Sequence, residues 1–224
     1  MLEAKKTVWF EKVFAVYNRN LIKRRFHSLQ VSGLDFLRDK NAEIPFIVYG
    51  NHSSWWDGLV AFEIFRQAKL DAFFMMEERQ LKNLFLFQRL GAFSIVRENG
   101  REAVKSINYS AELLKKSSRT LLIFPQAKIV SNDARPIKFY NGLSRIIEKI
   151  GKVYAIPLAM RIEFLGEFKP QIFVNIGLPE LIKTDEVFIA KEKTNMFAER
   201  LTTNLDKLKT DITNKNFKSF EKII

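Results

Sequence analysis

Short apolar segments alternate along this chain with longer segments of helical periodicity. The apolar segments, rich in the β-branched and aromatic residues that favour strands, lie near residues 46–49, 72–76, 93–96, 120–124 and 153–158. The helical patterns lie near residues 58–68, 78–89, 101–116, 140–150 and 187–212. Strands joined through helices usually pair in parallel, because each helix covers one face of the sheet. The sequence therefore predicts an α/β fold with a mixed, mostly parallel central sheet flanked by helices.

One antiparallel pair of strands is predicted between Arg161 and Pro179. Two alternating apolar stretches in this segment are separated by Gly166 and Pro170, which are turn residues. The length of 224 residues suits one domain, and 47% of the residues are apolar, 21 of them Phe. This composition supplies a core and leaves apolar side chains for a substrate groove or a membrane-facing patch.

The N-terminal segment has the pattern of a basic amphipathic helix, and we assign it to residues 1–28. Lysine and arginine flank an apolar stripe, which suits a membrane interface and equally suits a helix packed on the core. No apolar run reaches the ~18 residues of a spanning helix, so we expect a position on the membrane rather than across it. The stripe consists of Val8, Trp9, Phe10, Val13, Phe14, Tyr17 and Leu21.

The net charge of +12 is unevenly distributed. Residues 1–28 carry +5 and residues 97–152 carry +7, whereas the rest of the chain is close to neutral. Two basic stretches suit an anionic membrane surface, or a phosphate-bearing substrate such as the nucleotide of coenzyme A. Nucleic acid is the rival partner of a basic chain, but the motifs that recognise it do not occur in the sequence. We therefore expect an anionic lipid surface and no nucleic acid.

Cysteine is absent and histidine occurs twice, at His27 and His52. Without cysteine the chain forms neither disulfides nor thiolates, and two separated histidines give no cluster of metal ligands. We expect no metal and no cofactor. His27 lies among Arg24, Arg25 and Phe26, where a solvated or interfacial role is the usual one.

His52 follows the predicted strand at 46–49, and Asp57 comes five residues later at the start of a predicted helix. Catalytic groups in α/β folds gather at the carboxyl ends of strands. A carboxylate on one ring nitrogen fixes the tautomer of a histidine and raises its basicity. The pair is thus a candidate general base with its orienting carboxylate. A structural alternative is that Asp57 or Ser53 caps the helix; Ser53 as a nucleophile lacks the Gly-x-Ser-x-Gly pattern.

The chain resembles the lysophospholipid and glycerolipid acyltransferase family, of the 1-acyl-glycerol-3-phosphate acyltransferase type, because three of the four ordered blocks of that family are recognisable in it. The first, Asn-His-x4-Asp, begins at Asn51, and the second is Gly91-Ala92-Phe93-Ser94-Ile95-Val96-Arg97. The third, usually Phe-Pro-Glu-Gly-Thr-Arg, is Phe124-Pro125-Gln126-Ala127-Lys128-Ile129 here. The fourth is Val153-Tyr154-Ala155-Ile156-Pro157-Leu158-Ala159. The resemblance spans about residues 46 to 160 and makes residues 29–224 the acyltransferase domain.

The resemblance implies an O-acyltransferase of phospholipid biosynthesis. It would move a fatty acyl group from acyl-CoA or from acyl carrier protein to a hydroxyl of a lysophospholipid or glycolipid-like acceptor, with His52 as base and Asp57 as its orienter. The thioester would be a co-substrate, and the protein would lie peripherally on the cytoplasmic side of a membrane. The residues implied to bind substrate are Asn51, Ser53, Gly91, Phe93, Arg97, Phe124, Pro125, Gln126 and Lys128.

The third block departs from the family pattern, because Gln126 replaces a glutamate and Ile129 replaces an arginine. The lost guanidinium removes a phosphate partner, so we expect an acceptor other than the standard lysophosphatidate. The same departure supports an alternative, a catalytically inactive lipid-binding protein that retains the fold. For Arg97, the alternative to holding the acceptor is a surface salt bridge with Glu98 or Glu102.

Two aromatic groups have open roles at this point. One of the indoles of Trp55 and Trp56 is placed to line a substrate groove, and packing in the core is the alternative for each. The run Leu84-Phe85-Leu86-Phe87 either enters a membrane or forms a buried helix face, and the buried face is the commoner meaning of such a run.

Overall fold

The computed structural model describes residues 1–38, 43–96, 99–115, 118–184 and 188–224. Its strands are β1 (Ser28–Ser32), β2 (Phe46–Gly50), β3 (Ala72–Glu77), β4 (Ala92–Ile95), β5 (Thr120–Ile123), β6 (Lys152–Glu163), β7 (Gln171–Ile176), β8 (Glu180–Lys183) and β9 (Phe220–Lys222). Its helices are α1 (Val8–Arg25), α2 (Asp35–Arg38), α3 (Trp56–Gln67), α4 (Glu78–Asn83), α5 (Gly100–Lys115), α6 (Gly142–Ile150) and α7 (Ala190–Thr213), with a 3₁₀ helix at Phe85–Leu90.

The strands form one sheet in the order β4-β3-β5-β2-β6-β7-β1-β9, with β8 paired to β6. Neighbours from β4 to β6 run parallel, as do β7 and β1. The pairs β6/β7, β6/β8 and β1/β9 are antiparallel. This confirms the predicted α/β class with a mixed, mostly parallel sheet, and the β6/β7 pair confirms the hairpin predicted between Arg161 and Pro179.

The core lies on both faces of the sheet, and β2 in the middle of the sheet shows why. All five of its residues are buried, and they alternate between two apolar clusters. Val48 packs in the cluster beneath α1 and α3, whereas Ile47 and Tyr49 pack beneath α5, α6 and α7. A strand covered on both sides reads as a continuous apolar run, which is the pattern that identified it in the sequence.

Helix α1 departs from the prediction of a single apolar stripe, because its apolar residues divide between two faces. Phe10 and Phe14 pack with Ala15 against Phe62 of α3 and Phe87. The other members of the predicted stripe are exposed instead: Val8, Trp9, Val13 and Tyr17, with Leu21 half-buried. Helical spacing alone does not distinguish these faces, since the buried and exposed positions are interleaved along the same turns.

The helix predicted over residues 78–89 is also corrected. Regular α-helix ends at Asn83, Leu84 leaves the helical region, and a 3₁₀ helix follows. The tighter winding turns Phe87 and Leu90 toward α1, while Leu84, Phe85 and Leu86 are exposed. The commoner meaning of that run, a buried helix face, is therefore wrong for these three residues.

Four short elements were not predicted from the sequence, namely β1, α2, β8 and β9. Each has only three to five residues, too few for a periodic pattern to be recognised. In the described ranges, no helix is both long and apolar enough to cross a membrane.

Candidate functional site

His52 and Asp57 meet where β2 passes into α3. The strand ends at Gly50, and Asp57 lies in the first turn of α3. The imidazole Nδ1 of His52 lies 2.9 Å from the Asp57 carboxylate Oδ2. The Asp57 side chain is almost fully buried, whereas 21% of the His52 side chain is exposed. A buried carboxylate thus holds a histidine that a substrate can reach.

Asp57 also fixes the loop that carries His52. Its Oδ2 accepts the backbone N–H groups of Ser53 at 2.7 Å and Ser54 at 2.9 Å. A negative charge at this position also favours the positive end of the helix dipole. The capping alternative is not borne out, because the N-cap residue of α3 is Trp55 and no side chain makes a cap hydrogen bond there. Ser53 contributes its backbone N–H to this arrangement.

The second ring nitrogen of His52 is the one available to accept a proton. With Nδ1 donating to Asp57, the lone pair of the neutral imidazole lies on Nε2. No group in the described part of the chain is hydrogen-bonded to Nε2. The ring stacks on Phe124 with centroids 4.6 Å apart and planes inclined by 15°. Phe124 therefore limits the tilt of the imidazole.

The third block clamps the backbone of His52. The amide oxygen of Gln126 accepts the His52 N–H at 2.8 Å, and the Val130 N–H donates to the His52 carbonyl at 2.8 Å. Gln126 is buried, and Ala127 has a positive φ of 57°, where the family pattern has glycine. An amide oxygen makes this bond as a carboxylate oxygen would, so the change from Glu to Gln preserves the clamp.

Asn51 belongs to the framework. Its amide nitrogen donates to the Met160 carbonyl at 2.9 Å and to the Asn132 side chain at 2.7 Å, while its oxygen accepts the Met160 N–H at 2.8 Å. The side chain is buried with both ends bonded. Asn51 therefore ties the end of β2 to β6 and to the loop after β5.

The remaining residues of the third block differ in exposure. Pro125 is buried, and its carbonyl accepts the Tyr140 N–H at 3.0 Å. Lys128 is exposed, and 57% of the surface of Ile129 is exposed where the family has arginine. Lys128 is thus the cation of this block that stands closest in sequence to the lost arginine.

The second block lies at a distance from His52. β4 and β2 are separated by β3 and β5, so three steps of about 4.8 Å, roughly 14 Å, separate their backbones. Phe93 is fully buried and contacts Tyr109 with centroids 5.1 Å apart. Gly91 has a φ of 96° and turns the chain into β4. The structure therefore gives both residues framework contacts, and Arg97, with the predicted salt bridge to Glu98, falls outside the described residues.

A charged network missed by the sequence analysis holds the loop after β5. Arg161 is buried, and its guanidinium contacts both carboxylate oxygens of Asp133 at 3.2 and 3.4 Å and Glu163 at 2.8 Å. Hydrogen bonds from Arg161 and Lys209 lower the pKa of Asp133 from 3.8 to about 2. Burial alone lowers the pKa of Arg161, but the bonds to Asp133 and Glu163 outweigh it and raise that pKa. The position of Arg161 inside the otherwise apolar β6 was the feature of the sequence that could have indicated this network.

The two tryptophans lie with their ring centroids 4.6 Å apart but differ in exposure. Trp56 packs edge-on against Phe26 with centroids 4.9 Å apart, whereas 61% of the surface of Trp55 is exposed. His27 lies at the surface with Nδ1 3.5 Å from Glu167, which agrees with the role expected for it.

Comparison with known proteins identifies the family. A family model described as Acyltransferase matches residues 28–161, more than half of the chain. The chain belongs to the acyltransferase family. All four blocks lie within the matched residues, so the match confirms the resemblance drawn from these motifs. Within this acyltransferase, the matched region begins with β1 and ends inside β6.

Two relatives agree with this membership. The 1-acyl-sn-glycerol-3-phosphate acyltransferase of Streptococcus pneumoniae (strain ATCC BAA-255 / R6) is 30% identical over 161 residues, which is 69% of this chain and 56% of that protein. This chain thus spans a little over half the length of that relative. The crystal structure of the 1-acyl-sn-glycerophosphate acyltransferase of Thermotoga maritima superimposes with a TM-score of 0.67 at 20% identity, covering 89% of this chain and 79% of that one. The second likeness establishes the shared fold.

Proposed function

We propose that this protein transfers a fatty acyl group from a thioester to a hydroxyl of a lipid acceptor. The observation that carries the proposal is the His52–Asp57 pair at the carboxyl end of β2, with Nδ1 bonded to a buried carboxylate. Support for a lipid substrate comes from the family and from the Streptococcus pneumoniae relative, whose name states a 1-acyl-sn-glycerol-3-phosphate acceptor.

The proposed reaction proceeds in two steps. Nε2 of His52 takes the proton of the acceptor hydroxyl as its oxygen attacks the thioester carbonyl carbon. The tetrahedral intermediate then collapses, the carbon–sulfur bond breaks, and the departing thiolate receives the proton from His52. The negative charge of Asp57 stabilises the imidazolium between the two steps. Either acyl-CoA or acyl carrier protein supplies the thioester, and no further cofactor takes part.

The acceptor is the finer part of the proposal. Lysophosphatidate is the acceptor suggested by the relative, and Gln126 leaves the backbone clamp on His52 unchanged. The exposed Ile129, in place of an arginine, favours instead an acceptor with less negative charge, such as a glycolipid hydroxyl. The rates of acyl transfer to lysophosphatidate and to a glycolipid therefore decide between the two acceptors.

Peripheral attachment to the cytoplasmic side of a membrane is also part of the proposal. Its support is the exposed apolar surface of α1 together with Leu84, Phe85 and Leu86. Trp9 lies beneath the guanidinium of Arg89, 5.9 Å from the ring centroid. An indole and a cation at one site suit the boundary between headgroups and acyl chains.

The test is transfer of radiolabelled palmitoyl from coenzyme A and from acyl carrier protein, in detergent, with a total lipid extract, lysophosphatidate or a glycolipid as acceptor. We expect a labelled product that disappears with His52→Ala. His27→Ala is the matched control, because it removes the other histidine, and it should retain the wild-type rate. A silent wild type with both donors would instead support the inactive lipid-binding alternative, and robust turnover of lysophosphatidate would exclude the glycolipid preference.

A further inference from the structure

The exposed face of α1 changes character along the helix. Trp9, Val13 and Tyr17 are each more than half exposed, and they recur four residues apart, so they lie on one face. Lys23 and Arg24 continue that face in the last turns and are exposed as well. The face is therefore apolar over its first turns and basic at its end.

The basic end of α1 forms one wall of an open cavity of about 500 Å³. Lys169, in the hairpin between β6 and β7, also lines this cavity. None of the three cations makes a salt bridge or hydrogen bond with a described residue, and no carboxylate lines the cavity. The lining residues are Tyr17, Asn20, Leu21, Lys23, Arg24 and Lys169. Three unpaired positive charges around one space favour a doubly or singly charged anion there.

The hairpin beside this cavity exposes two phenylalanines. Phe164 is 71% exposed and Phe168 is 98% exposed, so the second ring has almost no contact with the protein. The hairpin is nevertheless held to the end of α1, because the His27 N–H donates to the Pro170 carbonyl at 2.9 Å. Glu167, the acid nearest to Lys169 in sequence, lies 3.5 Å from His27. The hairpin that carries these rings is thus held next to the cationic cavity.

We propose that this cavity binds the phosphate group of an anionic phospholipid while Phe168 enters the acyl region of the same bilayer. The inference rests on the proposed peripheral membrane function and gives it a specific binding site. Trp9 and Arg24 lie 15 residues apart on α1, about 22 Å along the helix axis. A face of that length, apolar at one end and basic at the other, together with a protruding aromatic ring, suits an extended interface of headgroups and acyl chains. A small soluble anion would engage the cations alone.

Sedimentation with vesicles tests the site. The wild type is mixed with vesicles of phosphatidylcholine alone or with phosphatidylglycerol added, and the partition coefficient is measured. The variant Lys23→Ala/Arg24→Ala/Lys169→Ala should bind the anionic vesicles roughly 100-fold more weakly, since each basic residue near an anionic surface contributes about fivefold. The control Lys149→Ala/Lys191→Ala/Lys218→Ala removes the same charge from other exposed positions. Its binding to anionic vesicles should weaken by less than a tenth of the factor expected for the first triple variant.

Phe168→Ala tests the second half of the proposal. Loss of an inserted ring should weaken binding roughly 10-fold on both kinds of vesicle. Leu178→Ala is the matched control, because Leu178 is also an exposed apolar residue, with 67% of its surface accessible, and it should bind as the wild type does. Equal binding of the triple variant, its control and the wild type would overturn the headgroup site. Submillimolar binding of inorganic phosphate that the triple variant loses, without a change in vesicle binding, would overturn the lipid and assign a soluble anion.

Detergent assays separate this inference from the proposed catalysis. None of the mutated residues contacts the His52 site, so all variants should transfer acyl groups in detergent at the wild-type rate. Wild-type vesicle binding by the variants, with His52-dependent transfer intact, would refute the site and leave the proposed reaction in place. A dimer that Phe168→Ala converts to a monomer, with vesicle binding unaffected, would show that a second copy covers the hairpin.

Discussion

The replacement Asp57→Asn separates the catalytic role proposed for this carboxylate from its structural one. The amide has the same shape, and its oxygen can still accept the N–H groups that Asp57 now receives from the loop and from His52. What it lacks is the negative charge 2.9 Å from the imidazole Nδ1. At this separation and an effective dielectric constant of about 20, the attraction between imidazolium and carboxylate is about 4 to 6 kcal/mol. Its loss should lower kcat about 10³- to 10⁴-fold.

The stability cost of the same replacement should be smaller. The bonds from Ser53 at 2.7 Å and Ser54 at 2.9 Å become neutral ones, and charge-assisted bonds are roughly twice as strong as neutral bonds. Removing the charge also removes the cost of burying it. The net loss in the free energy of unfolding should therefore be about 1 to 2 kcal/mol. The protein should remain folded while its turnover falls.

The assay uses the absence of cysteine in this chain. A thiol-reactive chromophore reports the thiol released from the acyl donor, and the protein itself contributes no background. Glu63→Gln is the matched control, because Glu63 is a fully buried carboxylate of the same helix that bonds Arg19, Arg66 and Gln67. It should lose stability and keep its turnover. If Asp57→Asn retains kcat within about fivefold of wild type, the orienting role is refuted and Asp57 serves the loop alone.

Three further changes test the framework. Asp133→Asn should remove stability that is present above the ordinary pKa of 3.8 and lost as the pH falls toward the lowered value of about 2. Because this ion pair is half exposed, the wild type and the variant should differ by at most ~1 kcal/mol in the free energy of unfolding, as judged from Tm measured between acid and neutral pH. Tyr49→Phe should leave stability unchanged or raise it by up to ~1 kcal/mol, since burial raises the pKa of this phenol and its hydroxyl has no partner among the described residues; denaturant unfolding that shows a clear loss would contradict this. Gly91→Ala should cost about 1 to 3 kcal/mol in the same measurement, because its φ is 96° and the new Cβ would lie 2.9 Å from a backbone oxygen of β3.

The parts of the fold that the sequence predicted are those with local signals. Strands of the central sheet are continuous apolar runs, and the helices between them have clear periodicity, so their positions were predicted to within a few residues. The edge order β7-β1-β9 depends on pairing between distant segments, such as Ser28 with Gln171. Short strands carry too little pattern to specify such partners. The sequence could not separate the two apolar faces of α1 for the same reason, because these faces differ only in which parts of the chain lie opposite them.

The residues of the candidate site likewise fall into those with a local sequence signal and those brought together only by the fold. His52 and Asp57 are five residues apart in one turn, and this local spacing identified them. Asn132 and Asp133 contribute through Asn51 and Arg161, from loops more than 25 residues distant in sequence. Such contacts arise from tertiary structure, so no single segment contains their signal. At the third block, the sequence reveals the charge that Gln126 lacks but not that its amide oxygen accepts the His52 N–H.

The geometry around His52 shows why a divergent third block is compatible with an intact site. In addition to the stacking of its ring on Phe124, three hydrogen bonds fix the residue: its ring nitrogen on Asp57, its N–H on Gln126 and its carbonyl on the N–H of Val130. Only the second uses a side chain of the third block, and it needs an acceptor oxygen rather than a charge. The substitution that departs most from the family is therefore at Ile129, which is exposed and outside the clamp. The divergence at Ile129 thus falls outside the bonds that hold His52, and these bonds do not depend on it.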